Sequence, residues 1–306
     1  MADVGSHSTH LLVAATAGHR VEPLLDTSDI LGLGAVVDRT GYIPGPVRAE
    51  LVVTLSRYAA SARELGASRV AFIGTEPLRV AANAATVVAE VEAATGVPLH
   101  VLGPQEEARL TLLGVTGGLP LEVSMLIADI GGGSTQLLLA ERGATIRTHS
   151  IRLGASRLTD AIVAHDPPTV AELACLRSEA DEAVATAPDA QPLVGVLVGG
   201  TGSNLPKVAG LDGGRRALTA GQVADLMLAV CARPAMETAA RFGIRPERAR
   251  VLPAGATLVG AILARYRLPG MIIREEGVRE GAALAIARGG ASWRDELGRL
   301  AQGWNA

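Results

Sequence analysis

Short, wholly apolar runs alternate along the chain with longer stretches of helical period. Residues 2–4 and 9–16 read as two strands around a polar turn, and 20–25 with 30–36 offer a third strand in two pieces. Pro44 and Pro46 open a helix in which Val47, Leu51, Leu55, Tyr58, Ala62 and Leu65 share one face, and Gly66 closes it. Strand 69–75, helix 81–95 ending at Gly96, strand 98–102 and helix 106–115 follow. After a hinge at 117–120 the pattern restarts with strands 123–130, 136–140 and 144–153, then a helix. Asp166-Pro167-Pro168 breaks the chain, and Thr169 caps a helix running to residue 187. A buried strand at 193–198 enters a glycine-rich stretch at 199–204. Long helical patterns cover 222–242 and 246–266, before a strand at 271–273, a helix at 280–288 and a helical tail from Trp293. Strands first, then helix and strand in alternation, imply an α/β fold with a partly parallel sheet.

The first polar turn has a near copy. ADVGSHSTHLLVA at 2–14 returns as ADIGGGSTQLLLA at 128–140, with eight of thirteen positions identical at an offset of 126 residues. Both place an Asp two residues before a Gly, then Ser-Thr, then Leu-Leu. A polar loop repeated between apolar strands suggests two similar halves facing a shared ligand. The expected division is a first domain at 1–118 and a second at 119–289, with a C-terminal helix at 290–306 packing back on the first.

The 306 residues suffice for two domains, and 48% of them are hydrophobic. Only 2% are aromatic, so Ala, Val and Leu must fill the core. A net charge of −3, from 28 basic and 31 acidic residues, leaves no footprint for nucleic acid or an anionic membrane. An anionic ligand must then be held locally. No secretory signal is visible, and the longest uncharged helical run, 251–264, is shorter than the ~20 residues that span a bilayer. Cys175 and Cys231 lie far apart, consistent with reduced thiols and a cytoplasmic location.

The two loops carry phosphate-binding chemistry. Gly lets backbone N–H groups surround an anion, and hydroxyls add donors. In the first loop the candidates are Gly5, Ser6, His7 and Ser8; in the second, Gly131, Gly132, Gly133, Ser134 and Thr135. Asp3 and Asp129, at the strand ends, suit a cation. Neither loop has the Lys of a P-loop, and neither is a dinucleotide fingerprint, because a strand follows rather than a helix. The alternative is two tight β-hairpins with Gly for turn geometry. GGTGSN adds Gly200, Thr201, Gly202 and Ser203 at a helix start, either as a phosphate site or as an ordinary turn. Glu106 and Glu107 open a helix, where acids complement the dipole.

Taken together, DVGSHS (3–8), GTEPLRVAANA (74–84), GPQEEARLTLLGV (103–115), DIGGGST (129–135), LGASRLTD with DPPT (153–169), GGTGSN (199–204), RARVLPAGA (248–256) and EEGVREG (275–281) resemble the exopolyphosphatase and guanosine pentaphosphate phosphatase (Ppx/GppA) family over almost the whole chain, in its short two-domain form. The resemblance implies duplicated ribonuclease H-like domains of the actin-like ATPase (ASKHA) kind around a central interdomain cleft. It implies Glu107 as the carboxylate that activates or positions water, Asp129 and Asp3 as metal-associated acids, and Arg79 as a phosphate contact. It also implies Mg²⁺, with K⁺ as activator, and a homodimer. Three departures stand out: Gln136 where the family has Glu, His7 where it has Asn, and a lead-in strand cut to Met1-Ala2. Gln136 can still orient water but cannot accept a proton. The expected reaction is Mg²⁺-assisted release of orthophosphate from the end of inorganic polyphosphate. The rivals are a guanosine pentaphosphate 5′-phosphatase, a non-catalytic sensor of polyphosphate or nucleotide, and a kinase of the same superfamily.

Overall fold

The computed structural model describes residues 1–141, 146–211 and 217–303. β1 (Ala2–Val4), β2 (Ser8–Ala17) and β3 (Arg20–Ile30) are followed by α1 (Leu33–Thr40), α2 (Gly45–Glu64) and β4 (Phe72–Gly74). Next come α3 (Glu76–Val80), α4 (Ala84–Thr95), β5 (Leu99–Val101) and α5 (Pro104–Thr116). The second series runs β6 (Met125–Ile130), β7 (Thr135–Ala140), β8 (Ile146–Ile151), α6 (Ala155–Ile162), α7 (Val170–Ala185) and β9 (Val194–Val198). It continues with α8 (Gly199–Ala209), β10 (Ala217–Thr219), α9 (Ala220–Cys231), α10 (Ala235–Phe242), α11 (Pro246–Tyr266) and β11 (Gly270–Ile273). α12 (Val278–Gly289) and α13 (Trp293–Leu300) end the described chain. Part of the strand expected at 144–153 and the end of the tail lie outside the described residues.

The two sheets repeat one topology. The first has the order β3-β2-β1-β4-β5 and the second β10-β11-β9-β6-β7-β8. In each, an antiparallel meander (β1-β2-β3 and β6-β7-β8) is extended by a strand parallel to its first member. The chain is therefore a duplicated α/β fold of the ribonuclease H-like kind.

Contacts divide it into a unit of Met1–Pro120 with Glu276–Ala306 and a unit of Leu121–Glu275. The division read from sequence kept 278–289 in the second domain; in the structure α12 belongs with α5 in the first unit. Glycines explain the pairing. A side chain on Gly281 would strike the carbonyl of Leu110, and one on Gly114 the carbonyl of Gly277. The two backbones thus meet directly, as only glycine permits.

In the first unit, one face of the sheet packs Leu51, Leu55 and Tyr58 of α2 with Val87 and Val91 of α4. The other packs Leu110 and Leu113 of α5, Ala282 and Leu284 of α12, and Trp293 and Leu297 of α13. Phe72 faces one layer and Ile73 the other, as strand alternation requires. The second unit builds its core chiefly from Leu, Val, Ala and Ile, with α11 buried over most of its length. Aliphatic packing thus meets the low aromatic content.

Three sequence expectations change. Residues 33–36 are helical, not strand: Gly32 at φ 61° turns the chain, and Leu33 and Val37 bury inward. The helix expected over 222–242 is two, because Pro234 lacks the N–H needed to continue and instead precedes α10. Leu65, expected on the buried face of α2, is 47% exposed. Thr169 caps α7 as expected, its hydroxyl accepting from the Glu172 N–H at 3.2 Å. Among the described residues, no helix is long and apolar enough to cross a membrane.

Gly281→Ala should destabilise the protein by about 1–3 kcal/mol or more, because backbone must move to admit one methyl group. Urea unfolding followed by circular dichroism would measure it.

Candidate active site

Each polar loop is closed by the same bond. Gly5 N–H donates to Ser8 C=O at 3.2 Å, and Gly131 N–H to Ser134 C=O at 3.0 Å. These pairs are equivalent under the 126-residue repeat. The loop carbonyls point inward to a neighbouring segment. Ser6 C=O accepts from Gly34 N–H (2.8 Å) and His7 C=O from Gly32 N–H (3.0 Å). Gly131 C=O accepts from Ala155 (2.9 Å), and Gly132 C=O from Ser156 (2.9 Å) and Arg157 (3.0 Å), at the start of α6. A trans peptide points its N–H opposite to its C=O. The N–H groups of His7, Gly132 and Gly133 therefore face away from those helices, as an anion cradle needs.

In the second unit a small, open pocket is lined by Gly131, Gly132, Ser156, Gly200, Thr201 and Arg248, with apolar walls from Ile130, Val251 and Leu252. It brings the glycine loop and the start of α8 to one place. GGTGSN is the opening of that helix, not a turn before it. Arg248, on α11, is half-buried, and a side chain on Gly200 would come within 2.9 Å of its Nη1. Burial lowers its pKa from the usual arginine value, and the charge of Arg245 adds to this. A cation so desolvated favours an anionic partner.

Asp129, the penultimate residue of β6, lies directly opposite Gln136 on β7. Facing pairs in antiparallel strands share one side of the sheet. A side chain on Gly199, which has φ 81°, would strike Asp129 Oδ1, so the Gly199 backbone packs directly against this carboxylate as only glycine can. Two expected phosphate hydroxyls are engaged elsewhere. Thr135 is fully buried and donates to Leu153 C=O at 2.7 Å. Ser203 is exposed and donates to Gly199 C=O (3.3 Å) and Gly200 C=O (3.2 Å) within its own helix. Gly202 is buried, with Leu197 C=O 3.2 Å from where a Cβ would stand, so it serves packing.

In the first unit, Asp3 faces His10 across β1 and β2. Ser8 Oγ lies 2.7 Å from His10 Nε2. The two acids at the start of α5 separate cleanly. Glu106 accepts Gly103 N–H at 2.8 Å and takes a bidentate bond from Arg294 at 2.7 Å, so it is a helix cap. Glu107 instead accepts from Arg79 Nη1 at 3.1 Å, while the same nitrogen reaches Leu102 C=O at 2.8 Å. The side chains of Arg79 and Glu107 are 22% and 13% exposed. Arg79 is thus bound to the candidate catalytic acid itself.

The family model for the Ppx/GppA phosphatase family matches residues 12–288. The chain belongs to the Ppx/GppA phosphatase family. It is 31% identical to exopolyphosphatase 1 of Mycobacterium leprae over 92% of this chain and 87% of that protein. It is 29% identical to exopolyphosphatase 2 of Mycobacterium tuberculosis over 93% and 97% respectively. The crystal structure of the Aquifex aeolicus Ppx/GppA family member superposes with a TM-score of 0.79 at 26% identity, covering 94% of this chain and 96% of that one.

Three residues given no role from sequence stand in these surroundings. Arg248 is in the cavity. Glu76 accepts the Ser6 hydroxyl at 2.9 Å. Arg279, on α12, bonds Asp26 at 2.6 Å and lies 3.7 Å from Glu280. Burial works against the charge of Arg279, but Glu280, Asp26 and Asp3 outweigh it and raise its pKa. All three fall in motifs that carry the Ppx/GppA resemblance, yet Ser6 and Asp26, which Glu76 and Arg279 bond, lie far off in sequence.

Arg248→Ala should weaken binding of tripolyphosphate by about 10- to 100-fold, the loss expected for one charged hydrogen-bond partner. Isothermal titration calorimetry would measure it, and an unchanged Kd would remove Arg248 from the site.

Proposed function

We propose that this phosphatase hydrolyses the terminal phosphoanhydride of inorganic polyphosphate and releases orthophosphate. The cavity of the second unit carries this reading. Its polar lining is glycine backbone, small hydroxyl and amide side chains, and one arginine, with no aromatic side chain among the described lining residues. Such a lining suits a repeating phosphate chain and offers no stacking surface for a purine. The exopolyphosphatases named among its relatives lend further support.

Glu107 is the proposed base. Its ion pair with Arg79 fixes the carboxylate while Glu106 caps the helix. It orients the attacking water and takes its proton as the water oxygen bonds to phosphorus and the bridging P–O bond breaks. In the second unit, loop N–H groups and Arg248 are the groups proposed to bind phosphate oxygens of the chain, in a reaction that depends mostly on positioning and electrostatics. Gln136, beside Asp129, orients by hydrogen bonding and takes no proton.

Asp129 is the residue proposed to hold Mg²⁺, with Asp3 as its counterpart in the first loop. The Asp129 carboxylate, a hard oxygen donor of the kind Mg²⁺ takes, stands two residues before the glycine loop. Among the described residues no three His, Cys, Asp or Glu side chains converge to hold a metal. Mg²⁺ is commonly bound through one or two carboxylates together with substrate phosphates and water. When bound, the ion would neutralise charge on the phosphate oxygens.

Purified protein should release orthophosphate from polyphosphate with Mg²⁺ and far less with EDTA, and should act more slowly on guanosine pentaphosphate. The opposite substrate order would overturn the assignment. Glu107→Gln should lower kcat by ~10²–10⁴-fold. Gln136→Glu, which restores a second carboxylate, should raise kcat; a slower variant would show that the site is adapted to the amide.

A further inference from the structure

Ser6 is held from three directions within the first unit. Its carbonyl accepts from Gly34 N–H at 2.8 Å. Its side chain packs on the bare Cα of Gly34, where a Cβ would lie 2.7 Å from Ser6 Cβ. Its hydroxyl donates to Glu76 Oε2 at 2.9 Å. The hydroxyl is the donor in this bond, so the single hydroxyl proton of Ser6 is committed to Glu76. A phosphate oxygen is also an acceptor. The Ser6 hydroxyl is therefore turned from the role its place in the loop suggests, and the loop is left to grip an anion through backbone N–H groups.

Glu76 is buried, at 8% exposure, in the first turn of α3. The preceding residue, Thr75, ties the same helix to the end of β1: its N–H and its hydroxyl both lie 3.2 Å from Val4 C=O. Three residues after Glu76 on the same helix, Arg79 bonds Glu107. One five-residue helix thus holds the first loop through Glu76 and the proposed base through Arg79.

We infer that Glu76 is a positioning residue for the first loop, acting through Ser6; the kinetic consequence rests on the polyphosphatase reading above. Because it acts through one hydroxyl, Glu76→Ala and Ser6→Ala should have the same effect, and the double variant should be no worse than either. Glu76→Gln keeps an acceptor oxygen and should recover most of the loss.

Two measurements test this. In the ligand-free protein, hydrogen–deuterium exchange of a peptide covering residues 3–9 should rise about tenfold in Glu76→Ala and in Ser6→Ala, and stay near wild type in Glu76→Gln. In steady-state hydrolysis of polyphosphate, both Ala variants should raise KM about 5- to 50-fold, with a smaller change in kcat. Unchanged exchange in Glu76→Ala would overturn the proposal. So would a Ser6→Ala effect that adds to that of Glu76→Ala, since Ser6 would then touch phosphate itself. Absence of phosphate release by the wild-type protein would instead sink the substrate reading, and the exchange comparison would still decide the role of Glu76.

Discussion

A glycine N–H bound to the carbonyl three residues on closes both polar loops, and the rest of each site depends on that turn. It brings the chain from the end of β1 or β6 back into β2 or β7 within a few residues. The outward-facing peptides would have nothing to hold them if the turn stood alone. In each unit a second segment fixes the loop carbonyls: Gly32 and Gly34 in the first, and the start of α6 in the second. Satisfying the carbonyls on one side sets the N–H groups on the other, so the anion cradle is a by-product of backbone accounting.

Glycine recurs where two backbones, or a backbone and a functional side chain, must approach closely. Gly34 admits Ser6, Gly199 packs against the Asp129 carboxylate, and Gly200 sits against Arg248. The same device joins α5 to α12 through Gly114 and Gly281. A protein with 36 glycines and only 2% aromatic residues builds its precision from close backbone contact rather than from large interlocking side chains.

The polar residues sort by what they already bond. Glu106, Thr135 and Ser203 have local or structural partners. Glu107 and Arg248 are instead placed by tertiary neighbours, an arginine on α3 and the glycine opening of α8. Hydroxyls and acids in glycine-rich loops look equivalent in sequence, although their hydrogen-bond partners give them different work.

Much of the fold was legible in the sequence. Strand runs, the Pro-opened and Gly-closed helices and the 126-residue repeat gave the duplicated α/β plan, because they rest on local periodicity and turn chemistry. The repeat also marked both loops as candidate sites. Sequence failed where the deciding partner is distant along the chain. The stretch 33–36 is helical because Leu33 and Val37 bury in a core made by other elements, and α12 joins the first unit because Gly281 meets Leu110. Of the adjacent acids at the start of α5, sequence could mark both, while only the position of Arg79 and Arg294 distinguished cap from candidate base. Which residue types line the loops follows from their order along the chain; which of their protons and carboxylates are already bonded follows from the fold, because hydrogen-bond capacity is filled by neighbours in space and not by neighbours in sequence.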